Sequence, residues 1–132
     1  MASVLREFTV GTSADKAWSV IGDFAHGPLK LAPDVFVSCD MEPENTRLLT
    51  FSDGTKAREQ LISRDDKMRR GVWRWVDSGI IHDNTTMQVF PEGDNACRVI
   101  WVHDVLPDSA AEWLAPTMNK LVPLFQQSLN NS

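Results

Sequence analysis

Residues 47–76 read RLLTFSDGTKAREQLISRDDKMRRGVWRWV, and this stretch decides which fold the chain can adopt. Polar and apolar residues alternate along Arg47–Phe51, Thr55–Arg64 and Met68–Val76, which is the period-two pattern of half-buried β-strands. The connections are too short to hold a crossover helix, so neighbouring strands must run antiparallel. The Asp-Gly pair at 53–54 favours a two-residue hairpin turn, because such a turn needs residues that accept positive φ. The stretch therefore predicts a three-stranded antiparallel meander.

The pattern on either side of this meander extends the sheet. Four further strands are predicted, at Val4–Val10, Val35–Met41, Asn84–Phe90 and Ala96–Leu106. Between the first two of these, apolar residues recur at helical spacing from Ala14 to Ile21, behind a Thr12 or Ser13 cap. Residues 25–34 contain glycine and two prolines and predict a short helix or a turn.

A C-terminal helix completes the predicted fold. Ser109 and Glu112 have the spacing of a capping box at its start, and Pro116 or Pro123 is expected to kink or break it. Its apolar face is formed by Leu114, Met118, Leu121, Val122, Phe125 and Leu129. The order β-α-α-β6-α predicts an α+β fold in one domain spanning 1–132, a seven-stranded curved antiparallel sheet wrapped around the long C-terminal helix.

Composition excludes several classes of function. The 132 residues carry a formal net charge of −5, which disfavours nucleic acid because phosphate is bound mainly by lysine and arginine. No apolar run approaches the ~20 residues of a membrane span, and the start lacks the pattern of a secretory signal, so a cytoplasmic location is expected. In that compartment Cys39 and Cys97 are predicted to be free thiols.

Certain residues within this order carry a resemblance to a known family. Ala17-Trp18 in the first helix, the stretch 54–59 opening the third sheet strand and the turn at 65–66 resemble the START-like helix-grip superfamily. The chain is particularly similar to its bacterial polyketide cyclase/dehydrase and lipid-transport branch, often called SRPBCC proteins. That resemblance implies a deep apolar cavity between sheet and C-terminal helix, holding a small hydrophobic ligand. Plant hormone receptors of this superfamily carry a Ser-Gly-Leu-Pro gate, which the turn at 52–55 lacks, so hormone sensing is not implied.

Strand alternation predicts which side chains face that cavity. Glu59 shares a face with apolar residues while the other face of its strand is charged, so its carboxylate should point inward. A buried carboxylate is costly unless it is paired, so Glu59 either pairs with an arginine or hydroxyl or contacts a ligand. Trp73 and Trp75 share a face and form an aromatic wall, which belongs either to the core or to a ligand site.

The last two strands of the sheet are harder to orient. Trp101 and His103 are predicted to face inward, as are Thr85, Met87 and Val89. His82-Asp83 and His103-Asp104 are neighbours along a strand and point to opposite faces, so neither pair forms a His–Asp dyad. No cofactor is predicted, and no metal site either, because such a site would need three ligands converging from separate elements.

Three functions are compatible with this pattern. The first is binding of a small hydrophobic molecule such as a lipid, polyketide or aromatic metabolite, by a monomer or weak dimer. The second is a polyketide cyclase/dehydratase that uses Glu59 and His103 as an acid/base pair. The third is a protein-interaction role with a vestigial cavity. The predicted ligand contacts are Glu59, Trp73, Trp75, Met87, Trp101, His103, Met118, Val122 and Phe125.

Overall fold

The structure is a computed structural model that describes residues 1–131. Its elements follow the predicted order: β1 (Ala2–Val10), α1 (Ala14–Ile21), α2 (Gly27–Leu31), β2 (Phe36–Glu42), β3 (Thr46–Phe51), β4 (Lys56–Asp65), β5 (Arg70–Val76), β6 (His82–Pro91), β7 (Cys97–Leu106) and α3 (Ala111–Asn130). The β-α-α-β6-α prediction is confirmed. Ser13 caps α1, since its side chain accepts a hydrogen bond from the Lys16 backbone N–H.

The seven strands form one antiparallel sheet in the order β1-β7-β6-β5-β4-β3-β2. Strands β2 to β7 are a continuous meander, because each connection is short enough only for a hairpin. Strand β1 pairs along its whole length with β7, so the first and last strands of the chain are neighbours in the sheet. Helix α3 packs its apolar side on the sheet, where Leu114, Met118, Phe125 and Leu129 are buried.

The inward and outward faces of the strands agree with the sequence pattern. Along β7 every second residue from Cys97 to Val105 is buried, including Trp101 and His103. Along β6 the buried positions include Thr85 and Met87. The inward facing predicted for these strands is confirmed.

The turn between β3 and β4 differs from the predicted two-residue hairpin. Within this turn, only Gly54 has a positive φ, of 91°. The Gly54 N–H donates to the Phe51 carbonyl at 2.9 Å, and the Phe51 N–H donates to the Thr55 carbonyl at 2.8 Å. This is the arrangement of a three-residue turn with a glycine bulge. The Asp53 carboxylate stabilises it by accepting from the Thr55 N–H at 2.9 Å.

The predicted capping box of α3 and the predicted break within the helix are not found. The capping box does not form: a 3-10 turn at Asp108–Ala110 precedes the helix, and Ala110 occupies the cap position with no side-chain hydrogen bond. Ser109 therefore lies inside that turn. The helix also continues through Pro116 and Pro123 without a break. Burial of its apolar face stabilises the helix, although each proline removes one backbone hydrogen bond.

No helix within residues 1–131 is long and apolar enough to cross a membrane. Cys39 and Cys97 are both free, as predicted.

Candidate functional site

A cavity of about 160 Å³ lies between the inward face of the sheet and the three helices. Helices α1 and α2 close one end through Ile21, Pro28 and Leu31. Helix α3 covers the cavity through Leu114, Thr117, Met118, Leu121 and Phe125. The sheet supplies the remaining wall, which includes Leu49, Glu59, Trp73, Trp75, Thr85, Met87, Trp101 and His103. The wall is therefore mostly apolar with a few polar groups, as in sites for small molecules.

The predicted ligand contacts line this cavity with one exception. Val122 is half-buried against the core and lies outside the wall, where the preceding residue, Leu121, is found instead. Consecutive helical residues point about 100° apart, so a wide apolar stripe does not reveal which of the two faces the cavity. Aromatic contacts stiffen the wall: the rings of Trp101 and Phe125 are 5.2 Å apart.

Glu59 forms a buried ion pair. Its Oε1 accepts from Arg47 Nη2 at 2.7 Å and from Arg47 Nε at 2.8 Å, and the two side chains are 10% and 6% exposed. Arg47 Nη1 donates to the Phe24 carbonyl at 2.9 Å, and the guanidinium lies 4.1 Å from the centre of the Phe24 ring. The arginine partner anticipated for Glu59 is therefore present, and it holds this carboxylate at one side of the cavity.

Sequence reasoning did not identify Arg47 as the partner. Leu49 and Phe51 share the inward face of β3 with it, so alternation did carry a signal. Its contact with Glu59 depends on the pairing of Arg47 opposite Glu59 in the β3–β4 register. A charged residue at the end of a strand is ordinarily taken to be solvated, and the sequence contains many of them.

A second polar cluster is centred on His103. The imidazole Nδ1 lies 3.0 Å from Asp83 Oδ1 and 2.9 Å from Thr85 Oγ1. Asp83 also accepts from the Trp75 backbone N–H at 3.3 Å. The ring of His103 is 5.3 Å from that of Trp75. These contacts fix the orientation of a buried histidine that borders the cavity.

Asp83 is the member of this cluster that sequence reasoning did not identify. The prediction that neighbouring residues such as His82 and Asp83 do not pair holds. However, the antiparallel register places Thr85 opposite His103 and Asp83 beside it, so a His–Asp pair forms between β6 and β7. The inward-facing residues of β6 recur at every second position, and continuing that series back from Thr85 reaches Asp83. Strand alternation therefore indicated that Asp83 faces inward.

Glu59 and His103 are not bonded to each other. They lie on β4 and β7, which are three strands apart in the sheet, or roughly 14 Å along it at the usual strand spacing. Each has its own charged partner, Arg47 for Glu59 and Asp83 for His103. The two groups therefore belong to separate polar clusters on the cavity wall.

The wall contains one buried donor that lacks an acceptor. Trp101 is 6% exposed, and its Nε1 finds no hydrogen-bond partner within residues 1–131. Most buried N–H groups in proteins are bonded, so each exception calls for an explanation.

A larger outer cleft, of about 790 Å³, adjoins the cavity at the start of α3. Phe51, Ala57, Trp75 and Trp113 line both spaces, so the two meet at these side chains. The ring of Trp113 stacks on that of Trp75 at 5.6 Å and is 49% exposed. The stacked pair therefore lies where a ligand would pass between cleft and cavity.

Neither a metal nor a reactive thiol is indicated near the cavity. The part of the chain that the structure describes has no group of three His, Cys, Asp or Glu side chains that could hold a metal ion. Burial raises the pKa of the half-buried Cys39 thiol, so this group is mainly protonated at neutral pH.

Solved structures share this architecture. An uncharacterised protein from Bacillus thuringiensis matches with a TM-score of 0.85 at 19% identity, over 97% of this chain and 98% of that chain. Norcoclaurine synthase from Thalictrum flavum matches with a TM-score of 0.72 at 19% identity, over 97% and 93%. The di-domain ARO/CYC BexL from the BE-7585A biosynthetic pathway matches with a TM-score of 0.76 at 15% identity, over 99% of this chain and 46% of that chain.

The sheet, the long C-terminal helix and these neighbours define a helix-grip protein. The family model described as "Polyketide cyclase / dehydrase and lipid transport" matches residues 1–131, and the chain belongs to that family. The resemblance noted in the sequence is thereby confirmed. A comparison with curated proteins found no match.

Proposed function

We propose that this protein binds a small hydrophobic molecule in the cavity between the sheet and α3. The observation that carries the proposal is the cavity itself, an interior space of about 160 Å³ with a mostly apolar wall. Protein interiors are packed nearly as densely as organic crystals, so a space of this size has to be maintained by the surrounding structure. Here the three helices form the walls that face the sheet across this space.

Burial of apolar surface would supply most of the binding free energy, at about 25 cal/mol per Å². The polar groups would orient the ligand, as they do in most small-molecule sites. Norcoclaurine synthase has been solved with dopamine and hydroxybenzaldehyde, so this fold admits aromatic molecules in at least one neighbour.

A variant that blocks the cavity tests the proposal. Ala57 borders both the cavity and the outer cleft, and a larger side chain there would point into the junction. Ala57→Phe should abolish uptake of toluene, measured by titration calorimetry. The matched control is Ile62→Phe, a 51% exposed position on the same strand, which should bind toluene as the native protein does. Equal binding by both variants would show that the cavity is not the site.

Polyketide cyclisation and dehydration are the second candidate, favoured by the buried pairing of His103 with Asp83. With Nδ1 donating to Asp83, the Nε2 lone pair of His103 can take an α-proton from a poly-ketone. The C–H electrons form an enolate, whose carbon attacks a second carbonyl, and the new alkoxide takes up a proton. Dehydration then removes a further α-proton and protonates the departing hydroxyl as water. Asp83 acts in this scheme as a positioning residue.

The size of the cavity ranks this second candidate below simple binding. A poly-ketone that closes into several rings needs more than the inner space and would have to extend into the outer cleft. If the protein is such an enzyme, His103→Ala should abolish turnover of a poly-ketone, and urea unfolding of the variant should show that it remains folded. Unchanged turnover would exclude His103 as the catalytic base.

A further inference from the structure

One oxygen of the Glu59 carboxylate is left without a hydrogen bond. Its Oε1 accepts from Arg47 Nε at 2.8 Å and lies 2.7 Å from Arg47 Nη2. No donor within residues 1–131 bonds to the other oxygen, Oε2. Each oxygen of an ionised carboxylate can accept hydrogen bonds, so the ion pair with Arg47 leaves part of this capacity unused.

This free oxygen is open to the cavity. Among the described residues, the buried side-chain polar atom without a partner is Trp101 Nε1, so Oε2, which also has no partner, is not sealed from solvent. Glu59 borders the cavity and does not border the outer cleft. Its side chain is 90% buried, since the exposed fraction is 10%. The accessible surface that remains on this inward-facing side chain therefore opens into the cavity, where a ligand atom can reach Oε2.

A free carboxylate oxygen specifies the polar group of the ligand. An ionised carboxylate accepts hydrogen bonds and cannot donate them. A ligand hydroxyl or N–H directed at Oε2 would form a hydrogen bond with a charged acceptor, which is roughly twice as strong as one between neutral groups. A ligand carbonyl or ether oxygen in the same place would set two acceptors against each other. The site therefore favours a ligand that carries a hydrogen-bond donor.

The charges beside Oε2 specify that the ligand is neutral. Arg47 already balances Glu59, so a ligand ammonium would add a second buried cation and a ligand carboxylate would face an anion. Asp83 does not alter this balance. It is engaged by His103 Nδ1 at 3.0 Å and by the Trp75 N–H at 3.3 Å, and it lies two strands from Glu59, or roughly 10 Å along the sheet. Burial of an unbalanced charge is costly.

The volume of the cavity limits the size of the ligand. A cavity of about 150 Å³ engineered in another protein binds benzene, and the cavity here is about 160 Å³. Sites for drug-sized molecules usually measure about 300–1,000 Å³. The inner space therefore fits one ring with a small substituent.

Resting on the proposed function, we infer that the ligand class is a neutral single-ring compound whose hydroxyl or N–H group donates to Glu59 Oε2. Phenol serves as the probe. Each comparison compound changes one property: toluene has nearly the same shape without the donor, benzylamine is a cation at neutral pH, benzoate is an anion, and 2-naphthol adds a second ring.

A substitution cycle measures the proposed hydrogen bond by affinity. The double variant Arg47→Met/Glu59→Leu removes both charges together, so neither is left buried alone. The preference for phenol relative to toluene, measured by titration calorimetry, should fall by about tenfold or more in this variant. Comparing two compounds of similar shape within each protein cancels the change in the cavity wall.

The matched control is Glu42→Gln, which alters a carboxylate that is 30% exposed and pairs with Arg58 outside the cavity. This variant should keep the native preference for phenol.

A crystal structure of the native protein with phenol locates the hydrogen bond directly. The hydroxyl oxygen should lie within about 3 Å of Glu59 Oε2, with the ring inside the cavity. This measurement decides alone if the double variant does not fold. Phenol bound in the cavity with its hydroxyl directed elsewhere would refute the inference.

The outcomes separate this inference from the function on which it rests. If toluene and phenol both bind the native protein and the double variant keeps the native preference, the donor is refuted while binding in the cavity stands. Tighter binding of benzylamine or benzoate than of phenol would refute the neutral ligand, and tighter binding of 2-naphthol in the cavity would refute the single ring. If toluene binds the native protein and phenol does not, the ligand class fails alone. Equal toluene binding by Ala57→Phe and Ile62→Phe would instead contradict the cavity as the site.

Discussion

Removing Arg47 should destabilise the protein strongly. Arg47→Met keeps an unbranched stem like that of arginine but removes the guanidinium, which leaves the Glu59 carboxylate buried without its cation. The two charges are in contact at 2.7 Å with exposed fractions of 6% and 10%. At a charge separation of about 4 Å and an effective dielectric of about 20, their attraction is about 4 kcal/mol. Breaking a buried pair by removing one partner typically costs 3–5 kcal/mol, so we expect a loss of about 4 kcal/mol.

Urea unfolding followed by tryptophan fluorescence measures this loss. Total stability of a domain is about 5–15 kcal/mol, so the midpoint should fall by a large fraction. Adding Glu59→Leu to Arg47→Met removes the stranded charge and should restore most of the lost stability. The Phe24 carbonyl, which accepts from Arg47 at 2.9 Å, still lacks its donor in the double variant and keeps a deficit of about 1–2 kcal/mol.

A matched control comes from the outward face of β4, the strand that carries Glu59. Arg58 pairs with Glu42 at 2.8 Å, but the side chains are 44% and 30% exposed, so Arg58→Met should change the urea midpoint little. A loss of less than about 1 kcal/mol in the free energy of unfolding of Arg47→Met would refute this prediction, because it would show that the Glu59 carboxylate is not desolvated. It is refuted equally if the double variant is as unstable as Arg47→Met alone.

Two further predictions concern the cavity mouth and the acid stability. Trp113→Ala removes the ring stacked on Trp75 at 5.6 Å and should speed both association and dissociation of toluene with little change in affinity; unchanged NMR exchange rates would contradict this. Hydrogen bonds from Arg64 and Trp18 lower the pKa of Asp66 from its ordinary value of 3.8. The ionised carboxylate therefore stabilises the fold above pH 3.8, and this stabilisation is lost as the pH falls through the lowered pKa. Asp66→Asn should therefore be less stable than the native protein at pH 7, with the difference shrinking below about pH 4, and an equal difference at both pH values would refute it.

The sheet could be predicted from the sequence because its signals are local. Each strand alternates on its own, each connection is a short turn, and the burial of Trp101 and His103 follows from the pattern of β7 alone. The details of α3 could not be predicted in the same way. Ser109 and Glu112 have the spacing of a capping box, but the chain leaves β7 through a 3-10 turn that places Ala110 at the helix start.

The candidate site was predicted only in part, because only some of the signals that define it are local in the sequence. Alternation identified Glu59 and His103 as inward-facing residues, yet their partners, Arg47 and Asp83, come from neighbouring strands. Which residues meet across a sheet depends on register, and a shift of one residue would change every pair. The lack of an acceptor at Trp101 Nε1 depends on the complete surroundings of one atom, and no sequence pattern carries that information.

A crystal structure of the protein grown with toluene would test the proposed binding cavity most directly. One toluene molecule should lie inside the cavity, with its ring between the sheet and α3. Toluene bound only in the outer cleft or on the surface, with the inner walls packed together, would contradict the proposal.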